Sequence, residues 1–179
     1  MRRFLWATFL GLIGAGIVHI VVILMVPHVS EGAVWNRLAE VARFDGPTPI
    51  DGHDSGSVIR PYDPAFAVSV CLFDLSEGYR RVASDGRVPF WSASVYDRNG
   101  SNLMAVNGAS APNGVLDLFV LSPDQLVELR RDEPDQMERS VFAETTALQG
   151  AVVVRALVPD PSWAGVVQTF MEELRCDLS

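Results

Sequence analysis

Residues 65–75 read AFAVSVCLFDL, and residues 90–96 read FWSASVY. The first stretch is apolar almost throughout, with Pro64 before it and Ser76-Glu77-Gly78 after it. A short run of that kind, rich in Val and Phe and bounded by turn formers, predicts a buried strand. The second stretch alternates. Phe90, Ser92, Ser94 and Tyr96 fall on one face, and Trp91, Ala93 and Val95 on the other, which is the period of a half-buried strand. Asp97-Arg98-Asn99-Gly100 follows, and Asn-Gly is a strong hairpin signal, so 103–106 should return beside 90–96. Residues 79–84 form a shorter strand, and Asp85-Gly86 predicts a second hairpin, leading into 90–96.

The same reading extends toward the C-terminus. Residues 107–113 are a polar loop, and 115–121 (VLDLFVL) is another apolar strand. Ser122-Pro123 has the order of an N-cap followed by Pro at the first helical position. Leu126, Val127 and Leu129 fill that helix to about Arg131. Residues 130–139 are charged and broken by Pro134, and read as a solvated surface loop. Residues 141–145 and 151–158 are two more strands. Asp160-Pro161 caps a final helix over 162–175, with Trp163, Val166, Val167, Phe170 and Leu174 as its apolar stripe. The expected fold is mainly β, a β-rich α+β domain. Six or seven strands build an antiparallel sheet or sandwich, with the C-terminal helix packed on it. Strand–helix–strand alternation with Gly-rich loops is missing, which speaks against a doubly wound fold.

Toward the N-terminus the composition changes. Residues 4–26, FLWATFLGLIGAGIVHIVVILMV, contain no Asp, Glu, Lys or Arg. A helix of that length spans about 34 Å, enough for a hydrocarbon core of about 30 Å. The segment accounts for the mean hydropathy of +0.20 in an otherwise acidic chain. Arg2 and Arg3 precede it, and no basic residue follows until Arg37. The positive-inside rule then places the N-terminus in the cytoplasm, 4–26 in the lipid, and the remainder on the far side of the membrane. The competing reading is a cleaved signal peptide, whose apolar region would be shorter and whose cleavage site would need small residues. Glu31-Gly32-Ala33 fits such a site poorly. Gly11, Gly14 and Gly16 form no strict G-x-x-x-G, and His19 has no second ionisable residue in the span. Three regions result: an anchor over 1–29, an amphipathic helix (30–44) with a Pro/Gly-rich loop (45–63), and the β-rich domain over 64–179. In the amphipathic helix, Ser30 is the expected N-cap. Val34, Leu38 and Val41 make the stripe and Trp35 widens it, an aromatic that could touch the membrane interface but more commonly faces the core.

Charge and motifs narrow the function. All 14 basic residues are Arg, against 22 acidic residues, and the formal net charge is −8. No basic stripe exists for nucleic acid. The Gly-rich stretches lack the P-loop Lys, and neither G-x-S-x-G nor H-E-x-x-H occurs, so no cofactor, metal or catalytic set is expected. Two cysteines are too few for a disulfide scaffold or a four-ligand zinc site. In an oxidising compartment Cys71 and Cys176 can pair, closing a long loop and stapling the last helix to the sheet. The alternative is two free thiols. Asp51, His53 and Asp54 in the long loop, with Asp97, are the acid–base candidates for a small-ligand-binding or hydrolytic envelope enzyme. The plainer reading makes them solvated turn residues. Trp91 and Tyr96 could line a pocket beside them, although a tryptophan at that spacing is more often core.

Cys71-Leu72-Phe73-Asp74-Leu75-Ser76-Glu77-Gly78, then Phe90-Trp91-Ser92 and Tyr96-Asp97, resemble the bacterial domain-of-unknown-function 1254 family, in particular its short membrane-anchored members. The likeness covers residues 30–177. It implies a β-rich, sandwich-like domain in a bacterial envelope protein, which would put the anchor in the inner membrane and the domain in the periplasm, with no agreed activity and no catalytic residues to carry over. It also implies a separately encoded envelope partner of the related 1214 family, whose domain larger relatives carry in the same chain. The anchor, the acidic balance and the lack of any catalytic constellation lead to the expected role, an interaction or structural module of the cell envelope.

Overall fold

The computed structural model describes residues 1–50, 63, 65–133 and 135–178, with the side chains of 26–34 outside that description. The chain opens with α1 (Arg2–Val41), one continuous helix. The expected separation of the 4–26 anchor from a second helix capped by Ser30 does not occur. A proline inside a helix removes one backbone hydrogen bond, whereas ending the helix beside an apolar run would strand several. One stretch among the described residues, Arg2–Met25, is long and apolar enough to cross a membrane; its mean hydropathy is 2.4 and none of it is buried. The helix's last turns behave differently. Leu38 and Ala42 are buried against Val70, Leu72 and Ala151, with Trp35, Ile50 and Val153 at the margin. Trp35 thus packs on the domain, as its place in the stripe predicts.

Two sheets follow. The five-stranded sheet runs β1 (Thr48–Pro49), β2 (Phe66–Asp74), β8 (Gln149–Leu157), β4 (Trp91–Asp97), β5 (Asn102–Asn107), all antiparallel. The four-stranded sheet runs β7 (Val141–Glu144), β6 (Leu116–Leu121), β3 (Arg80–Ser84), β9 (Arg175–Leu178). Its β6–β7 pair is parallel. Helices α2 (Pro123–Asp132) and α3 (Gln136–Arg139) supply the crossover that a parallel pair requires. Part of the 130–139 segment is therefore helical, where the sequence reads as loop. The Asn99-Gly100 hairpin forms as expected, with Gly100 at φ 85° and β4 paired to β5.

The Asp85-Gly86 hairpin does not form. β3 pairs β6 and β9, β4 pairs β5 and β8, and residues 85–90 carry the chain from one sheet to the other. Gly86 serves close approach instead: a Cβ there would lie 3.0 Å from the Phe170 Cα. The C-terminal helix α4 (Ala164–Glu172) follows a short 3-10 turn and stops before Arg175, which begins β9. It buries Val167 and Phe170, with Leu174 just beyond it, whereas Trp163 and Val166 are 38% and 43% exposed. The expected stripe is therefore too wide by those two residues.

The core lies between the sheets. Cys71, Phe73, Trp91, Ala93, Val95, Val152 and Val154 come from one side, and Val82, Leu116, Leu118 and Val120 from the other. The alternation read in 90–96 is realised, since Trp91, Ala93 and Val95 all point inward. A Cys71–Cys176 disulfide crosses the sandwich from β2 to β9, with a Cα–Cα distance of 6.0 Å. It joins the two sheets, rather than the last helix to a sheet. On the outer face of the four-stranded sheet, Phe119, Leu121 and Leu129 form a second cluster under α2.

Helix α2 begins with a full capping box. Ser122 Oγ accepts from Gln125 N–H (3.2 Å), and the Gln125 side-chain oxygen accepts from Ser122 N–H (2.9 Å). Ser122→Ala should cost about 1 kcal/mol, read as a shift of the urea midpoint at constant slope.

Candidate functional site

A cleft of about 470 Å³ opens at the end of the five-stranded sheet, where the turns after β2 and β4 meet the segment leading into β8. Its polar lining is Asp74, Ser76, Asp97, Arg98, Asn99 and Gln149. The sequence places Asp74 at the last position of β2, where the following turn lets its carboxylate fold back. Asp74 Oδ1 accepts from Ser76 N (3.0 Å) and Ser76 Oγ (2.6 Å), and Oδ2 accepts from Gln149 Nε2 (2.7 Å). Those donors, Gln149 first, hold the Asp74 carboxyl below the usual carboxylate range. Asp97 closes the turn after β4, its Oδ1 accepting from Asn99 N (2.9 Å) and Ser101 N (2.8 Å). Backbone bonds tie the three segments together: Arg98 N donates to Gln149 O (3.2 Å), and Leu75 N donates to Leu148 O (2.7 Å).

The chemistry available there is limited. Asp74 is a fixed carboxylate acceptor, poorly suited to hold a proton near neutral pH. Among the described residues, the one hydroxyl that donates to either carboxylate is Ser76 Oγ, which with Ser76 N closes the turn on Asp74, and both carboxylates shape turns. No group of three His, Cys, Asp or Glu among the described residues could hold a metal ion. The cleft is a rigid polar rim beside the exposed Arg98 side chain.

Of the residues singled out in the sequence, Asp97 lines this cleft. Trp91 does not: it is 2% exposed, and its Nε1 donates to Gly114 O at 3.0 Å. It is a core residue that also anchors the loop after β5. Tyr96 is half-buried and does not line the cleft. His53, Asp51 and Asp54 lie outside the described residues. Asp74 and Gln149 escaped the sequence reading. The available signal was Asp-x-Ser at 74–76, the spacing of a turn closed by an Asp side chain.

The depressed Asp74 pKa sets a pH dependence. A carboxyl whose folded pKa lies below its unfolded value of about 3.9 stabilises the fold above that pH. The contribution disappears as pH falls through the folded pKa. Asp74→Asn should therefore be less stable than the parent near neutrality, and the gap should close at the acid end. Urea midpoints of both proteins measured down the acid range give the comparison.

No family model matches the chain, and no curated protein matches it. Solved structures do. The VPA0106 protein from Vibrio parahaemolyticus aligns with a TM-score of 0.60 at 8% identity, over 83% of this chain and 35% of its own. A putative uncharacterized protein from Burkholderia cenocepacia aligns at TM-score 0.46 and 14% identity, over 81% of this chain and 40% of its own. The chain thus spans well under half the length of either. The first likeness concerns the fold alone: this arrangement of sheets recurs as about a third of a longer bacterial protein.

Proposed function

We propose that the chain is a single-pass inner-membrane protein that displays a disulfide-bonded β-sandwich in the periplasm, where it serves as an interaction or structural module of the envelope. The observation that carries this reading is α1. After Arg2 and Arg3 its residues to Met25 are unburied and apolar enough to cross a membrane, while its C-terminal end packs into the sandwich through Leu38 and Ala42. A helix built this way is anchor and domain element at once. The disulfide supports an oxidising compartment, and Arg2 and Arg3 support a cytoplasmic N-terminus. Membership of the 1254 family belongs to the same proposal. The partner it implies is a related β-rich envelope protein, which fits a fold that elsewhere forms part of a longer chain.

Protease added to intact spheroplasts tests the topology. With a tag at each end, the C-terminal tag should be digested from outside and the N-terminal tag should survive until lysis. A C-terminal tag protected until lysis would overturn the proposal. Cross-linking in native membranes should then recover one stoichiometric envelope partner. Recovery of the protein alone would remove the interaction role.

A further inference from the structure

Apart from its disulfide, the last strand is held by one ladder and by an exposed ion pair, Arg175 to Asp85 at 3.0 Å, of the kind that adds little. β9 has four residues and lies at the edge of its sheet, paired with β3 alone. Arg175, Asp177 and Leu178 are exposed, and only Cys176 is buried. Its neighbour on β3 is Arg80, 3% exposed, opposite Leu178 in the register. One Arg80 Nη donates to the Cys176 carbonyl at 3.2 Å, and the buried Nε has no partner among the described residues. No carboxylate lies within ion-pair distance of Arg80 among the described residues. A guanidinium desolvated in this way favours states that return it to water. Detaching β9 removes its hydrogen-bond acceptor and opens the sheet edge beside it.

We propose that the Cys71–Cys176 disulfide is a redox latch, and that its reduction releases β9 from β3 while the rest of the sandwich stays folded. The reductant is a dithiol of the protein-exchange class. One of its thiolates attacks a sulfur of the bond, and its second thiol resolves the mixed disulfide. Two electrons and two protons pass to Cys71 and Cys176, and the donor leaves as a disulfide. Cys71 is fully buried and Cys176 nearly so, so attack follows fraying of β9 and falls on Cys176. Release stops at Leu174, which is 3% exposed and, with Val167 and Phe170, keeps α4 in the core.

Hydrogen exchange on the full chain in lipid nanodiscs, oxidised and then reduced with dithiothreitol, tests the latch. After reduction, peptides over 175–178 should exchange at least about 100-fold faster, those over 80–84 partly faster, and those over 164–172 and 149–157 unchanged. Unchanged protection of 175–178 would overturn the proposal. So would loss of protection in all these peptides together, which would make the disulfide a support of the whole fold. Arg80→Met keeps the chain length and removes the charge, and should restore much of the protection of 175–178 in the reduced protein. A reduced Arg80→Met protein that exchanges like the reduced parent would overturn the part assigned to Arg80.

Discussion

Gly150→Ala is expected to cost at least the upper end of the about 1–3 kcal/mol usual for overpacking, and to leave little folded protein at 37 °C. Gly150 sits in β8 at the centre of the five-stranded sheet, opposite Phe73 on β2 and Asp97 on β4. A Cβ built there would lie far inside van der Waals contact with the Tyr96 carbonyl oxygen and collide with the edge of the Phe73 ring. The carbonyl is backbone in a paired strand and cannot rotate away. Phe73 is fully buried, so its ring cannot yield without opening the core. Gly165→Ala is the control. A Cβ at Gly165 meets nothing within 4 Å, and the position is exposed in α4. Replacing a helical Gly by Ala there should stabilise by up to about 1 kcal/mol. Urea unfolding of both variants separates a packing constraint from a general intolerance of added methyl groups.

Trp91→Ala should lose about 3–5 kcal/mol, the range for emptying a large aromatic site. The loss has a local signature as well. Trp91 Nε1 holds the Gly114 carbonyl at 3.0 Å, and a Cβ on Gly108 would lie 3.0 Å from the same nitrogen. The indole therefore fixes both ends of the loop between β5 and β6. Hydrogen exchange over 107–114 should accelerate beyond the change seen elsewhere in the sandwich. Trp91→Phe retains most of the volume and gives up the N–H, and should cost about 1–3 kcal/mol, as expected for an orphaned buried acceptor. Equal stability losses for the two variants would show that the hydrogen bond, rather than the volume, dominates.

Much of the sandwich is legible in the sequence because its central strands are written in local terms. β2 is an apolar run and β4 alternates cleanly, so their burial follows without knowledge of their neighbours. The Ser122-Pro123 cap and the Asn99-Gly100 turn are short-range signals and hold for that reason. β9 is different. Arg-Cys-Asp-Leu has no strand pattern of its own, and it is a strand because β3 and Cys71 hold it there. The Asp85-Gly86 turn misleads for a related cause: its glycine answers to Phe170, 84 residues away, and not to a hairpin. α1 reads as two helices because the apolar run ends at Val26 and Ser30 looks like a cap, both local signals, while continuity is decided by the helix as a whole.

The candidate site was less legible. Asp97 could be found beside Asn99-Gly100, but its pairing with Asp74, Ser76 and Gln149 in one cleft depends on β2, β8 and β4 lying side by side. Spacing in the chain, 52 residues between Gln149 and Asp97, carries no trace of that adjacency. Trp91 shows the reverse case, since its aromatic neighbours invite a pocket reading that burial removes.

Intact mass of the protein extracted from the membranes of expressing cells, alkylated without prior reduction, tests the anchored, disulfide-bonded account most directly. The account predicts a single species that retains residues 1–26, takes up no alkylating agent, and is two hydrogens lighter than the dithiol chain. A species lacking those residues would show a cleaved leader instead of an anchor, and two alkylated cysteines would contradict a sandwich closed in an oxidising compartment.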